Sequence, residues 1–314
     1  MKNLLPFALA SLAAVAACTE DDPGPTPPET LPSLHVPPPP ANGIQVLTPI
    51  FRNVAAGTEV EVCTWTDAIV ANGADVRSTI GYQSDYGHHT IVYYTMQKLP
   101  AGTQRVCTDN DMASFRYLAG NPGDGIANTA PGNLVYRIPP GAQIVINHHY
   151  LNAGTEAVDG QAVVNLEFAD PGQGYMPSGS TAFLDSAIEV APGVQTFDTT
   201  CTLDRTLKLW YFAPHMHRWG TRIQIDHTHG ATTDRLFDTA WEDSFTFHPP
   251  ELTWDPSAPK VFSPGDQLKV HCEWNNDTTN TLGFGFEMCV AFGMFIDDTG
   301  AGNHACDGGA WTEF

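Results

Sequence analysis

Short runs of β-branched, aliphatic and aromatic residues, separated by Gly, Pro, Asn and Asp, recur along the chain from about residue 60 onward. Alternation with a period of two, bounded by turn residues, is typical of strands, and no long amphipathic helical pattern is present. We therefore predict an all-β fold built from β-sandwiches. The predicted strands are VEVCTW (60–65), TIVYYTM (90–96), AQIVINHHYLN (142–152), AVVNLEF (162–168), TLKLWYF (206–212), TRIQID (221–226), DQLKVHCEW (266–274) and GFGFEMCVAFGMF (283–295).

Two of these strands resemble each other. PPGAQIVINHHYLN (139–152) and SPGDQLKVHCEWNN (263–276) share a Pro-Gly turn, a Gln, alternating aliphatic residues and an aromatic residue at matching offsets. The similarity indicates a duplicated unit, and we expect two tandem domains, over 44–175 and 176–314, joined near the Gly- and Pro-rich segment 170–180. A chance likeness between two strands that follow Pro-Gly turns is the alternative.

The repeat also predicts which side chains of 142–152 face the core. In the second copy the apolar face is Leu268, Val270, Cys272 and Trp274, which correspond to Ile144, Ile146, His148 and Tyr150 in the first copy. Alternate residues of a strand point to opposite faces, so His149 is expected to face outward as a candidate ligand. His148 is expected to be a hydrogen-bonded core residue.

The N-terminal region predicts export. Residues 1–17, MKNLLPFALASLAAVAA, combine an early Lys with an apolar stretch too short for a permanent membrane helix, as in a signal peptide. VAAC, ending at Cys18, resembles a bacterial lipobox, so we expect a lipoprotein anchored through Cys18 to the outer membrane or the cell surface; secretion with an unpaired cysteine is the alternative. The Pro-rich segment 18–43 predicts an extended tether.

Charge and cysteine content narrow the function further. The formal charge is −21 at pH 7, from 35 acidic residues against 14 Lys and Arg, and such a field repels the phosphate backbone of nucleic acids. Membrane contact is expected only through the lipid anchor. Besides Cys18 the chain has six cysteines, which in an exported protein favour three disulfides, although the sequence alone allows 15 pairings.

Histidine clusters indicate a metal. His88 and His89 are adjacent, and neighbours on a regular strand point to opposite faces, so both can bind one ion only if a bulge or a strand end reorients one. His215 and His217 are two apart in a strand-like run, which would place both imidazoles on one side. His227 and His229 form a rival pair in a predicted hairpin turn. Imidazoles together with the thioether of Met288 would suit copper, although a Met in an apolar run is usually core.

Together these motifs resemble the copper type II, ascorbate-dependent monooxygenases over about residues 44–310. The matching parts are His88-His89, the HY at 149–150, HMHRWG (215–220) and EMC (287–289). The resemblance implies two jelly-roll domains across an open cleft, each holding one copper. His88, His89 and His149 would bind the electron-transfer copper, and His215, His217 and Met288 the catalytic, oxygen-activating copper. It also implies the disulfides Cys63–Cys107, Cys201–Cys306 and Cys272–Cys289.

The activity implied by the resemblance is hydroxylation of a C–H bond of a small-molecule substrate by O2, with two coppers per chain and ascorbate or a similar reductant, in a monomer. Peptide-amidating relatives hold the substrate carboxylate with polar groups at positions that are Ala213, Val290 and Phe292 here, so a peptide substrate is not expected. Two other functions remain open: a lipid-anchored copper-binding or storage protein, and an adhesion module whose histidines are structural.

Overall fold

Strands make up most of the chain. The computed structural model describes residues 29–246, 248–300 and 302–313, and it confirms the all-β class and the β-sandwich architecture, which also fits a jelly roll. The export signal and Cys18 lie outside the described residues. Within those described ranges, no helix has both the length and the apolar character needed to cross a membrane.

The first half of the described chain contains twelve strands and one short helix, which Thr108 and Asp111 cap reciprocally at its N-terminus. Their bounds are β1 (Gly43–Leu47), β2 (Phe51–Val54), β3 (Thr58–Val70), β4 (Ala74–Gln83), β5 (Gly87–Thr95), β6 (Thr103–Val106), α1 (Asp109–Ser114), β7 (Arg116–Asn121), β8 (Asp124–Thr129), β9 (Leu134–Ile138), β10 (Ala142–Asn152), β11 (Val158–Gly160) and β12 (Ala162–Phe168).

The second half repeats this mixture of long and short strands, with one 3₁₀ turn at Asp243–Thr246. The strands are β13 (Met176–Leu184), β14 (Glu189–Val190), β15 (Gly193–Thr202), β16 (Leu207–His215), β17 (Gly220–His229), β18 (Thr232–Ala240), β19 (Leu252–Thr253), β20 (Lys260–Phe262), β21 (Gln267–Asn276), β22 (Leu282–Gly283), β23 (Val290–Ile296), β24 (His304–Asp307) and β25 (Ala310–Glu313).

Each half is a sandwich of two sheets. In the first half, a sheet in the order β6-β3-β10-β5-β7 packs against β1, β12, β4 and β9; in the second, β15-β21-β17-β18 packs against β13, β23 and β16. Two large apolar cores lie between these pairs of sheets. One contains Ile144, Ile146 and Leu166, and the other contains Ile223 and Trp274. Burial of these side chains is the main favourable contribution to each half.

The two sandwiches share one sheet. Strand β9 pairs in parallel with β13, with Leu134 opposite Met176 and Tyr136 opposite Ser178. The pair merges one sheet from each half into a single twelve-stranded sheet among the described residues. Trp210 and Ile296 of the second half also join the core of the first. The relative placement of the halves is therefore fixed by backbone pairing and by apolar packing.

The described part of the expected tether is held against the first sandwich. Residues 29–42 contain no strand or helix, in agreement with the Pro-rich pattern. However, Leu34 is buried, Gln161 hydrogen-bonds both Glu29 and Leu31, and Asn165 donates to the carbonyl of Pro38. A free spacer would not make these contacts. They form because the backbone carbonyls of this extended segment accept hydrogen bonds from the buried side-chain amides of Gln161 and Asn165.

The two similar strands, β10 and β21, end in the same local structure. The side-chain amide of Asn152 donates to the carbonyls of Val54 and Glu156 and accepts from the backbone N–H two residues later. Asn276 repeats the pattern, donating to Val190 and Asn280 and again accepting from the N–H two residues later. A matching turn at matching positions is the result that a duplicated sandwich predicts.

The strand predicted over 283–295 is only partly correct. The structure has two residues of β22, a turn over 284–289, and then β23 from Val290. The backbone N–H groups of Phe286 and Glu287 both bond the carbonyl of Gly283, which closes the turn. The apolar residues of this segment look like a strand in sequence, but the turn keeps Phe286 largely exposed.

All three expected disulfides are present. Cys63 bonds Cys107, Cys201 bonds Cys306, and Cys272 bonds Cys289. Each bridge lies within one sandwich, and the third ties β21 to the residue that precedes β23. By restricting the unfolded chain, a disulfide typically stabilises by about 2–4 kcal/mol.

His148 is the buried, hydrogen-bonded core histidine that the repeat predicts. Its Nε2 lies 2.9 Å from Oγ1 of Thr64, and its Nδ1 lies 2.9 Å from the hydroxyl of Tyr150. Burial lowers the pKa of His148 to about 3, from an ordinary value of 6.5. The folded protein therefore keeps this ring neutral at pH values at which the unfolded chain protonates it.

This difference between the folded and the unfolded chain predicts that the protein loses stability in acid. The substitution His148→Gln should remove this part of the loss. Below about pH 6.5 the unfolded chain gains a proton that folded His148 does not bind, so stability falls by about 1.4 kcal/mol per pH unit from this group. We expect the variant's free energy of unfolding, measured by urea denaturation at several pH values, to fall less steeply on acidification. Equal slopes for the two proteins would contradict the assignment.

Candidate metal centres

The first histidine cluster lies at one end of the sheet that contains β5 and β10. Residues pair as His89 with His149 and Gly87 with Tyr150, so His88 is an extra residue with no partner on β10 in the register. This is the bulge that adjacent histidines require if both are to face one point. The Nδ1 atoms of His88 and His89 lie 3.1 Å apart.

Three imidazoles converge here. The ring centroids of His88 and His149 are 5.3 Å apart, and those of His89 and His149 are 5.0 Å apart. One ring nitrogen from each histidine can be chosen so that all three lie within 4.8 Å of one another. This spacing, from three neutral nitrogen donors, suits a transition-metal ion.

The rings are held in the neutral form that a metal needs. Desolvation lowers the pKa of His89 to about 3 and that of His149 to about 4, and the neighbouring histidines add to the effect. The pKa of His88 is also lowered, by desolvation and then by His248. Because metals bind deprotonated imidazole, such a cluster does not have to lose protons near neutral pH before an ion binds.

His149 lies on the predicted face but is not displayed at the surface. Its side chain is only 2% exposed, because the rings of His88 and His89 cover it. Glu59 lies at the edge, with Oε2 3.8 Å from Nε2 of His149. The repeat thus predicted the face correctly, whereas the accessibility depends on the bulge in the neighbouring strand.

The second pair, His215 and His217, also converges, although not by strand alternation. His215 is the last residue of β16, opposite Val290, whereas His217 lies in the following turn. The expectation that both lie on one strand is therefore wrong. Their ring centroids are nevertheless 4.9 Å apart, with the buried Met216 between them in sequence.

The buried carboxylate of Glu287 holds this turn in place. It is fully buried, and it therefore requires several donors in exchange for its lost hydration. It accepts hydrogen bonds from the backbone N–H groups of His217 (3.2 Å), Trp219 (2.8 Å) and Met288 (3.2 Å) and from the indole of Trp274 (2.8 Å). The side chain of Glu287 thus connects the turn that carries His217 to the segment that carries Met288.

Met288 is half-buried, and its side chain packs against Ala182, Val290 and Ala305. The backbone carbonyl of Phe286, two residues earlier, lies 3.2 Å from Nδ1 of His217. Desolvation lowers the pKa of His215 to about 3, and His217 contributes less. His215 is therefore a neutral imidazole at the ordinary pH of a cell or its surroundings.

The surface beside His215 is apolar. Phe292 pairs with Ala213 across β16 and β23, and its ring centroid lies 5.6 Å from that of His215. Phe292 is 42% exposed, whereas Ala213 and Val290 are buried. These three positions place no charged or hydrogen-bonding side chain beside the second pair.

Two further residues near these centres have no signal in the sequence. His248, which follows the 3₁₀ turn of the second half, has its ring centroid 5.8 Å from that of His88 in the first. Glu61 of β3 lies near His217. Desolvation raises the pKa of the Glu61 carboxyl, and the hydrogen bond from Asn147 and, to a smaller extent, the interaction with His217 oppose that shift. No spacing rule connects residues from separate halves, so only the tertiary fold reveals them.

Comparisons with known proteins add nothing to these assignments. No protein-family profile and no curated protein matches the chain. Similar solved structures include infectious bursal disease virus Gx strain (8% identity, 82% of this chain and 72% of that chain, TM-score 0.19) and Gt strain (9%, 88% and 75%, TM-score 0.14). At such TM-scores the likeness carries no argument about this chain.

Glu287→Gln tests the organisation of the second centre. The amide replaces one acceptor oxygen by a donor that faces other donors, so we expect a loss of about 1–3 kcal/mol in the free energy of unfolding. The control Glu189→Gln, at an exposed position of β14, should change it by less than about 0.5 kcal/mol. Urea denaturation measures both changes, provided that the free energy of unfolding depends on urea concentration with the same slope in each protein. Equal stabilities of the two variants would show that Glu287 does not hold the turn.

Proposed function

We propose that the protein is a copper-dependent monooxygenase that hydroxylates a C–H bond of a small organic substrate with O2 and a one-electron reductant such as ascorbate. The observation that carries this proposal is that His88, His89 and His149 converge in the first sandwich while His215 and His217 converge in the second. A single set would be sufficient for metal binding. Two sets, with different surroundings, suit a division between electron transfer and substrate oxidation.

The first set fits an electron-transfer copper. His88, His89 and His149 provide three imidazoles, which bind both Cu(I) and Cu(II). Their surroundings are partly closed, with His149 buried and His248 beside His88. A closed set of ligands limits rearrangement between the oxidation states and gives a substrate little access.

The second set fits the site of substrate oxidation. His215, His217 and Met288 combine two imidazoles with a thioether, and the soft sulfur favours Cu(I). Hydrogen bonds to Glu287 support the grouping of His217 with Met288, because this one carboxylate accepts from the backbone N–H groups of both residues. When bound there, copper would supply the one-electron chemistry that activates O2, and three protein ligands would leave open coordination for it.

The residues around the second set favour an apolar substrate. Phe292 lies beside His215 and presents an exposed ring, and Ala213 and Val290 are apolar. A peptide carboxylate placed against these side chains would lose hydration without gaining a partner, which is costly. We therefore expect a small molecule whose reacting carbon is approached along an apolar surface.

The compartment is part of the same proposal. Three disulfides persist best outside the cytoplasm. We propose an exported lipoprotein, acylated at Cys18 and attached to the outer membrane or the cell surface, with the two sandwiches as the folded region. A reductant and O2 would reach such a protein from the surroundings of the cell.

Met288→Ile separates this proposal from a structural role for Met288. The change roughly conserves volume, so stability should fall by less than about 1.5 kcal/mol. If Met288 is a ligand, X-ray absorption of the Cu(I)-loaded variant should lack the sulfur scatterer found in the unsubstituted protein. Met294→Ile is the matched control, because Met294 on β23 is also a partly buried methionine but packs against the first core; its sulfur signal should persist.

Turnover distinguishes the enzyme from a storage protein. We expect ascorbate-dependent O2 consumption, stimulated by small organic compounds with an activated C–H bond, in the unsubstituted protein and in Met294→Ile. Met288→Ile should lose the stimulation while His88, His89 and His149 still bind copper. Copper binding with no stimulated consumption by any protein of the set would favour storage instead.

A further inference from the structure

We propose that the β17–β18 hairpin holds a third metal site, for a divalent cation of the Zn2+ class, ligated by His227, His229 and Asp234. This site is independent of the proposed oxygenase activity. It lies on the outer pair of strands of the second sandwich, whereas His215, His217 and Met288 lie at the ends of β16 and β23.

The hairpin register brings the three side chains together. His227 and His229 are two apart on β17, so they lie on one face, and Asp234 of β18 is directly opposite His227. The two ring centroids are 5.1 Å apart. One ligand atom from each of the three residues can be chosen so that all lie within 4.8 Å of one another.

His227 is oriented as a metal ligand. Its Nε2 lies 2.9 Å from Oδ2 of Asp266, and that carboxylate is itself fixed by the backbone N–H of Ser263 at 2.8 Å. Histidines that bind metals commonly donate their second ring nitrogen to a carboxylate in this way, which fixes the tautomer and leaves the other nitrogen as a lone-pair donor. The ring also stacks on Phe262, with centroids 4.0 Å apart.

The other nitrogen of His227 has no hydrogen-bond partner among the described residues. The side chain is only 2% exposed, and Nδ1 is buried and unpaired. An unsatisfied buried polar atom costs about 1–3 kcal/mol, so a purely structural histidine would be expected to pair it. A cation bound at Nδ1 would satisfy this atom. Burial also lowers the pKa of His227, although Asp266 opposes the shift, and so favours the neutral ring that a metal binds.

The basic groups next to the carboxylate of Asp234 are ones that a bound cation would displace. Its Oδ2 lies 3.2 Å from Nε2 of His229 and 3.5 Å from Nζ of Lys260. A divalent ion would replace the hydrogen bond between the two ligands and would compete with the Lys260 ammonium for the carboxylate. Lys260 is therefore predicted to weaken binding.

The ligand set selects the kind of metal. Two imidazoles and one carboxylate, with no sulfur, are typical ligands of Zn2+ and offer nothing that favours Cu(I). With three protein ligands, the fourth position would be filled by water or by a further donor. This third site should therefore differ in metal preference from one that contains Met288.

Titration of the metal-free full-length protein with Zn2+, by calorimetry and elemental analysis, tests the proposal. His229→Ala and Asp234→Asn should each remove one bound Zn2+ per chain, whereas the control His271→Ala, at a partly buried histidine on the neighbouring β21, should remove none. Asp266→Asn should weaken that binding event by about 10–100-fold. Lys260→Ala should strengthen it severalfold.

The outcomes are distinct from those of the oxygenase proposal. His229 and Asp234 are partly exposed, so their variants are expected to fold, and circular dichroism checks this. If one of them fails to fold, the Lys260→Ala and Asp266→Asn arms still give opposite changes in affinity. An unchanged number of Zn2+ ions in His229→Ala and Asp234→Asn, or unchanged affinity in Lys260→Ala and Asp266→Asn, would overturn the third site and leave the copper assignments untouched.

Discussion

The parallel pairing of β9 with β13 is the constraint on which the arrangement of both centres depends. It merges a sheet from each sandwich, and the adjacent Trp210 and Ile296 enter the first core. β13 in turn pairs with β23, and β23 pairs with β16. The strand that begins at Val290 and the strand that ends at His215 are therefore positioned relative to the first half. Domain placement therefore follows from backbone hydrogen bonds that connect the halves.

One consequence is that each centre has neighbours from the other half. The ring of His248 lies beside His88, and Glu61 lies close to His217. The resemblance to copper monooxygenases implies halves separated by an open cleft; in the structure, one side chain of each half lies near a histidine of the other half's set. In such an arrangement, a change in the placement of the halves would alter the electrostatic surroundings of both histidine sets.

A second consequence concerns how buried polar groups are satisfied. Glu287 gains hydrogen bonds from three backbone N–H groups and one indole, and in doing so it fixes His217 relative to Met288. The desolvated histidines follow the opposite principle, since burial keeps them neutral. The uncharged form of these imidazoles is the one that a metal ion binds, which is why both histidine sets are candidates for the proposed metal centres.

Much of the fold could be predicted because alternation and turn residues are local properties. The all-β class, most long strands and the core position of His148 follow from period-two patterns and from the repeat. The disulfide pairing was implied by resemblance, since spacing alone left it open. The turn over 284–289 could not be predicted, because its apolar residues also fit a strand and its geometry depends on hydrogen bonds to Gly283.

The candidate sites also have some features that the sequence could predict and others that it could not. Adjacent His88 and His89 indicated that a bulge was required, and the strand register contains it. The convergence of His215 with His217 was expected for the wrong reason, because His217 lies in a turn rather than on the strand. His248 has no local signal at all, since its position beside His88 arises only from the joined sheets.

Counting Cu(I) ions under anaerobic, reducing conditions tests the central claim most directly. The third site has a hard carboxylate oxygen where the other two sets have a third imidazole or a thioether, so it should lose Cu(I) first to a competing chelator. The account predicts two Cu(I) per chain, one after His89→Ala or after His215→Ala, and none when both are changed. One Cu(I) in the unsubstituted protein, or two that persist in the double variant, would contradict the assignment of a copper centre to each sandwich.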